Sequence, residues 1–394
     1  MTFASRMTAV VRWGLVAVLA AHGLIHLLGA AKGLGWSEVA QLREPIGAGA
    51  GTVWLIAAVL ILTCTGLLVV GRPTWWWLVA TLGAVVSQVA IATSWSDAKA
   101  GTAVNVLLVV AAVYGFASVG PASFHARWDA RASRALAATD PTPPLVTEHD
   151  LADLPAPLAA YLRHSGAVGR QRVTSFEATF HGRIRSARTA AWMPFTGKQV
   201  NTYGAHPERL FIMDATRSGL PVTVLHEFTD ATATMRAKVL SAVTVVDAAG
   251  PEMDRGETVT VFNDLVVFAP GAIVDAPIRW TPIDSSHVEG VFTAADQAVS
   301  AVLTFDADDD LVDFTSHDRS RATPDGKSFT PQTWSTPLSA HRELDGRRIL
   351  SLGQGRWDAP QPEGSFDYLE LHLDDIAYNV RSGAGAAGSQ AGLG

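Results

Sequence analysis

Apolar residues run almost unbroken through the first third of this chain and alternate with polar ones through most of the rest. Four windows carry almost no charge for the roughly 20 residues that cross a bilayer core: Trp13 to Ala31, Ile46 to Gly71, Pro73 to Ser96 and Gly101 to Ser123. They predict four transmembrane helices. Arg6 and Arg12 ahead of the first window give it the look of a signal peptide, but three further spans of similar length favour an uncleaved helix. From Val173 the period changes to two in VTSFEATFHGRIR, VTVLHEF, ATMRAKVL, SAVLTFDA and YLELHLDDIAYNV, which read as strands bounded by turn residues. Hairpin turns are expected at Asp308 to Asp310, Asp325-Gly326 and Asp345-Gly346. Two stretches read as helices: one from about Pro155 to His164, and Asp254 to Phe268 with Val261, Leu265 and Phe268 at helical spacing. The expected fold class is a four-helix transmembrane N-terminal region followed by an α+β domain. A strongly curved antiparallel sheet of about eleven or twelve strands, a half-barrel with one or two helices on its concave face, dominates that domain.

Between the two patterns lies GPASFHARWDARASRALAATDPTPP, Gly120 to Pro144. Ser123 to Ala138 reads as a helix with Phe124, Trp128 and Leu136 on one side and Arg127, Arg131 and Arg134 on the other. It fits a helix lying on anionic headgroups and equally a solvated linker helix. The prolines that follow end it, since proline lacks an amide hydrogen and disfavours α geometry before it. The expected divisions are 1–120 for four transmembrane helices, 121–144 for a partly helical juxtamembrane linker, 145–380 for a β-rich soluble domain and 381–394 for a disordered tail.

Charge sharpens the division. Residues 1–144 hold 9 Lys/Arg and 5 Asp/Glu, and residues 145–394 hold 21 and 32, so the net charges are +4 and −11. An acidic soluble half argues against a nucleic-acid partner. Basic residues in the short flanks set orientation: Arg6, Arg12, Arg72, Arg127, Arg131 and Arg134 on one side against Lys32, Arg43 and Lys99 on the other. That asymmetry predicts a multi-pass protein integral to the cell's inner membrane, with both termini and the soluble domain cytoplasmic. Cys64 is the sole cysteine, which excludes an intramolecular disulfide and a thiolate zinc cluster.

Three blocks, LPAPLAAYLRH, AWMPFTGKQ and GPEMDRGE, resemble the recurring blocks of an uncharacterised bacterial domain-of-unknown-function family often attached to membrane helices. The resemblance covers roughly residues 150 to 380 and brings no established activity. More distantly, the order of a helix, long antiparallel strands, an inserted helix and hairpins is similar to lipoprotein carriers of the LolA type. That similarity implies a half-barrel whose apolar hollow accepts acyl chains.

Candidate chemistry is sparse. His22 and His26 are one turn apart on one face of the first helix, as ligands of a metal or haem, as a proton relay, or as imidazoles bonded to neighbouring helices. Gly14, Gly23 and Gly29, with Gly47, Gly49 and Gly51, would let helices approach closely. Glu252, Asp254, Arg255 and Glu257 suit acid–base work or a divalent ion. They also suit a helix start with Asp254 as cap and Glu257 three residues on, an account that uses more of the residues. Asp306, Asp308 and Asp310 have calcium-loop spacing, but Leu311 and His317 stand where that loop needs Gly and Glu, so an acidic hairpin tip is expected. In AWMPFTGKQ, alternation puts Trp192 on one face and Phe195 on the other, so one of them can line a hollow together with Phe211. Arg236, on a neighbouring strand, would meet a headgroup or be a solvated edge charge. The expected function is a membrane-anchored binding protein, in contact with the bilayer, whose half-barrel holds a lipid or other apolar small molecule without a cofactor or enzymatic step. Two alternatives stand beside it: a hydrolase using residues 252–257, and a redox or transport function centred on His22 and His26.

Overall fold

The computed structural model of the chain describes residues 3–71 and 73–380. The expected tail at 381–394, Arg72 and the side chain of Arg6 lie outside the described residues. Residues up to Arg127 group as one compact unit and most of the rest as a second.

The first unit is helical: α1 Phe3–Gly33, α2 Ala48–Val70, α3 Trp76–Ala92, the short α4 Trp95–Ala98 and α5 Gly101–Val119. Three stretches, Val10–Gly33, Ala48–Val70 and that beginning at Gly101, are long and apolar enough to cross a membrane. The third expected span is shorter than the sequence suggested, because its helix stops at Ala92 and turns at Thr93 and Ser94 before α4. At 17 residues and 1.5 Å per residue α3 is about 26 Å long, against a hydrocarbon core of about 30 Å. The unit carries large apolar side chains outward, among them Leu24, Ile25, Val59, Leu82, Val85 and Val110. Its interior combines small residues, Ala57, Ala58, Ala80 and Ala84, with larger ones such as Leu19, Trp54, Ile61 and Leu108. Water would not tolerate such an outer surface; lipid does. A Cβ on Gly33 would lie 2.5 Å from Gly51 Cα and one on Gly29 2.3 Å from the Trp54 ring, so glycine sets how closely α1 and α2 approach. Gly23 is likewise closed by Leu62, whereas Gly14, Gly47 and Gly49 meet nothing within 4 Å. Arg12 donates to the Leu68 and Val69 carbonyls at 2.8 and 2.7 Å, satisfying acceptors that the end of α2 leaves open.

Helix α6, Phe124–Ala137, leads toward α7, Ala156–His164. The strands that follow are β1 Ser175–Ile184, β2 Met193–Thr202, β3 Glu208–Arg217, β4 Leu220–Thr229, β5 Thr232–Val239 and β6 Val243–Ala249. Helix α8, Pro251–Phe268, interrupts them. Then come β7 Ile278–Pro282, β8 His287–Ala294, β9 Gln297–Phe305, β10 Leu311–Ser316, β11 Ser320–Ala322 and β12 Phe329–Pro331. The last are β13 Thr333–Ser335, β14 Leu338–Ser339, β15 Arg342–Leu344, β16 Arg347–Ile349, β17 Leu352–Asp358 and β18 Ser365–Tyr378. Fourteen strands form one sheet in the order β6-β5-β4-β3-β2-β1-β18-β17-β13-β10-β9-β8-β7, with β14 beside β17. The long antiparallel sheet is the one expected, with more and shorter strands. The three expected turns occur, between β9 and β10, β11 and β12, and β15 and β16.

Helix α8 shows how the sheet bends. It touches β5 and β6 near one end of the strand order and β9 and β10 near the other, so the sheet wraps around it. The edges β6 and β7 do not pair with each other, and the barrel stays open. Fourteen of the 18 residues of α8 are buried. Phe262 packs among Trp280, Phe292 and Phe314, and Phe268 among Phe176 and Phe180. Tyr161 of α7 donates to the Val266 carbonyl at 2.8 Å and fixes that helix against α8. The β11–β12 hairpin leaves the sheet and reaches across. Its base is held by Arg321 on Glu363 and on the Ser186 carbonyl, and a Cβ on its tip residue Gly326 would lie 2.9 Å from Ala248 Cβ and 3.0 Å from a Val246 methyl of β6.

Candidate functional site

Alternation sorts the sheet into an inner face, toward α8, and an outer face. On β2 the inward residues are Phe195, Gly197, Gln199 and Asn201; on β3 they are Arg209, Phe211, Met213 and Ala215; on β4, Val222, Val224, His226 and Phe228. On β2 and β3 the inner face therefore changes character along the strand, apolar at one end and polar at the other, and on β4 His226 stands between Val224 and Phe228. Two acidic residues of α8 meet the polar part. Asp264 accepts from Arg209 Nε at 2.6 Å, Gln199 Nε2 at 2.7 Å and Asn201 Nδ2 at 3.2 Å. Glu257, seven residues earlier and on the same side of the helix, is reached by Arg209 and Arg319, both at 3.4 Å, and by His226 Nε2 at 3.2 Å. Thr260 donates to it at 3.0 Å. The Arg319 guanidinium lies 4.3 Å from the centre of the Trp334 ring and that of Arg209 5.3 Å from the Phe211 ring.

Burial governs the protonation states here. It lowers His226 to about 4, so this imidazole is neutral near pH 7. Burial alone would raise Glu257, but His226, Arg209 and Arg319 outweigh it and hold the carboxyl below its ordinary value. For Asp264 burial prevails over Arg209 and its hydrogen bonds, and the carboxyl is raised. Tyr203, next to Asn201, is pushed well up by burial and by Asp264.

The acidic cluster 252–257 is not a cluster in space. Glu252 is exposed. Asp254 accepts the Ala233 N–H of β5 at 2.6 Å, Arg255 pairs with Asp318 at 2.5 Å, and Glu257 joins the inner network. Asp254 is not the helix cap either: α8 begins at Pro251 after Gly250 (φ 105°), because proline fits the first helical position and glycine the left-handed turn before it. Of the residues expected around a ligand, Phe195 and Phe211 meet in one apolar cluster of the inner face. Trp192 and Arg236 do not join them. Trp192 sits on the outer side between Arg183 and Arg185, 4.6 and 4.3 Å from its ring centre. Arg236 alternates outward between the inward Met235 and Ala237 and pairs with Glu227 at 3.4 Å. Glu227 also receives Arg131 of α6 at 2.9 Å, and Trp128 of α6 donates to the Leu210 carbonyl at 3.1 Å. The outer face thus takes Arg131 away from the headgroup contact that one reading of the linker helix gave it.

In the helical unit His22 and His26 belong to a buried hydrogen-bond network, as the bonded-imidazole reading had it. His22 Nε2 lies 3.2 Å from Ser87 Oγ and from Asn105 Oδ1, and His26 Nε2 lies 2.7 Å from Ser87 Oγ. Asn105 donates to Gln88, which donates to Thr102, at 3.0 and 3.2 Å. Such links offset the cost of polar groups in an apolar bundle. Among the described residues no group of three or more His, Cys, Asp or Glu is placed to hold a metal ion. Asp306 of the acidic hairpin accepts the Asp308 and Asp310 amides, and Asp310 pairs with Arg348 at 2.6 Å, as a closed turn does.

Arg209, Arg319, Gln199, Asn201, His226 and Asp264 were not singled out from sequence. The signal was there: polar residues at inward positions of KQVN and ERLF, and Glu257 and Asp264 seven apart, two turns along one side of α8.

The sequence pattern of the family of unknown function DUF6544 matches residues 144–371, and the chain belongs to that family. No curated protein matches it in sequence. Among solved structures it is similar to a Vibrio parahaemolyticus domain described as an outer membrane lipoprotein-sorting protein, at 12% identity and a TM-score of 0.29, over 56% of this chain and 87% of the other. It is also similar to a DUF1329 family protein from Desulfovibrio piger, at 12% identity and a TM-score of 0.32, over 57% and 92%. A third is a beta-barrel-like protein of the domain of unknown function DUF1849 from Brucella abortus, at 10% identity and a TM-score of 0.18, over 52% and 98%. Superpositions this loose carry no argument about fold or ligand.

Proposed function

We propose that this protein is a membrane-anchored binder whose curved sheet holds an acyl chain of a lipid or a similar apolar molecule. One observation supports it: the apolar end of the inner face forms a cluster built from strands alone. Phe195, Met213, Ala215, Val222 and Ala237 are buried there, and Phe211, Val224, Val246, Leu369 and Leu371 are half-buried around them. No residue of α8 belongs to this cluster among the described residues, and the β11–β12 hairpin meets it at Val246 through its tip Gly326. The residues around the cluster are only half-buried, and covering their remaining apolar surface with an apolar ligand gains about 25 cal/mol per Å².

In this reading α1, α2, α3 and α5 cross the cell membrane, both termini are cytoplasmic, 121–144 links membrane to sheet, and 145–380 is the binding domain. The basic flanks support that orientation.

The test is lipid retention by the full-length protein, extracted and quantified by mass spectrometry. Phe195→Ala should lower the retained lipid several-fold, at the stability cost of about 3 to 5 kcal/mol expected for a buried phenylalanine. Trp192→Ala, on the outer face, should leave retention unchanged. Equal retention by both variants and the parent contradicts the assignment of the inner face.

A further inference from the structure

The apolar cluster borders the main core, against which Phe211, Val246 and Leu371 also pack, and it borders polar residues of the same strands. Arg209 lies two residues from Phe211 on the inner side of β3, and His226 two residues from Val224 on β4, so the apolar end of the inner face runs directly into the polar network. Those donors are poorly matched. Arg209 gives its Nε to Asp264 at 2.6 Å, but its other two nitrogens find acceptors only at 3.4 to 3.5 Å, on Glu257, Gln199 and His226. Arg319 reaches Glu257 at 3.4 Å through one terminal nitrogen, and its buried Nε has no hydrogen-bond partner. His226 Nδ1 faces an Arg209 N–H and is therefore the acceptor, which leaves the proton on Nε2. That nitrogen lies 3.2 Å from Glu257 but lacks the alignment of a hydrogen bond. Buried donors without a short acceptor are costly, and guanidinium groups bind planar oxyanions in pairs of short bonds. Arg319 is also pre-oriented by the Trp334 ring on which it lies.

We propose that Arg209, Arg319 and His226 form the head-group end of a groove along this face, and that the ligand is a single-chain amphiphile with a carboxylate head, a fatty acid in the simplest case. This rests on the acyl-chain reading above and adds to it which end of the chain goes where. The carboxylate accepts from Arg319 and from the terminal nitrogens of Arg209, while the chain lies over Phe211, Val224 and Leu371. Glu257 stays in place as the counter-charge that keeps the two guanidinium groups together when the groove is empty.

The experiment uses the full-length protein in membrane vesicles and two photoreactive probes of equal chain length, a diazirine-bearing hexadecanoate and the corresponding hexadecan-1-ol. Labelled peptides are identified by mass spectrometry. Charge-assisted hydrogen bonds to two arginines should make the acid label peptides of β2, β3 and β18 at least about tenfold more than the alcohol. This comparison needs no variant. Arg319→Gln should then reduce labelling by the acid to the level of the alcohol, and unchanged labelling by the alcohol reports that the groove is intact. Ethanoate in excess should not compete; if it abolishes labelling, the site takes free carboxylates and the amphiphile is excluded. Equal labelling of the inner face by both probes overturns the head-group site and leaves the groove standing. Labelling of the inner face by neither overturns the groove as well.

Discussion

Replacing Arg209 with methionine should destabilise the β-rich unit by about 3 to 5 kcal/mol, the usual consequence of removing one member of a buried ion pair. Arg209 is 8% exposed, Asp264 4% and Glu257 1%. Without the guanidinium, Asp264 keeps two amide donors, Gln199 and Asn201, and no cation, while Glu257 keeps Arg319 at 3.4 Å. Neither carboxylate can reach bulk water. In thermal unfolding of the detergent-solubilised full chain, followed by tryptophan fluorescence, the transition of this unit should fall by roughly 10 °C. Adding Asp264→Leu to the Arg209→Met protein should restore part of the loss, since the second change removes the stranded charge. A shift of a degree or two, with no recovery in the double variant, would mean that the network is wet and the inner face open to solvent down to α8.

The second large effect is a pH dependence. His226 titrates near 4 in the folded protein because it is buried, against 6.5 for the free side chain. Between those values the unfolded chain holds a proton that the folded protein does not, so stability rises with pH. The contribution is complete above about 6.5 and is lost as pH falls toward 4, and a difference of this size corresponds to roughly 3 kcal/mol. Urea unfolding of the full chain at pH 7 and at pH 4.5 should show that loss, and His226→Gln should remove most of it. A parent and a variant with parallel pH profiles would place His226 in contact with water.

Much of the fold was legible before any coordinates, and the reasons are local. Alternation in VTVLHEF and YLELHLDDIAYNV marks strands because side chains in a strand point to opposite faces in turn, and Asp325-Gly326 and Asp345-Gly346 mark turns because their backbones favour positive φ. The start of α8 was placed three residues late, at Asp254, because an acidic residue ahead of an apolar run looks like a cap. Pro251 with Gly250 does that work, and Asp254 instead accepts the Ala233 amide at the start of β5. The helix α3 is shorter than the uncharged window Pro73 to Ser96, because absence of charge continues past Ala92 through Thr93 and Ser94, where the backbone turns.

The site was legible only by halves. Phe195 and Phe211 share one cluster because alternation and the β2–β3 register give both of them inward positions. Trp192 and Arg236 could not be told from them without register, since a shift of one residue exchanges the faces. Arg209 and Arg319 are 110 positions apart in the chain. What joins them is the wrapping of the sheet around one helix, which brings β3 and the start of the β11–β12 hairpin to the same carboxylate, Glu257. No local pattern records that. The hint that does survive in sequence is negative: a charged or amide residue at an inward position must find a partner, and Glu257 and Asp264, two of the four carboxylates of α8, are spaced to supply it.

The most direct test of the acyl-chain reading is to see the chain in place. Crystals of the full-length protein grown with a fatty acid carrying bromine on its terminal carbon allow the bromine to be located by anomalous scattering. The account predicts a peak in van der Waals contact with the inner-face cluster, beside Phe195, Phe211 or Leu371, on the side of the sheet that faces α8. Bromine found solely along the outward surfaces of α1, α2 and α5, with the inner face bare, would contradict it.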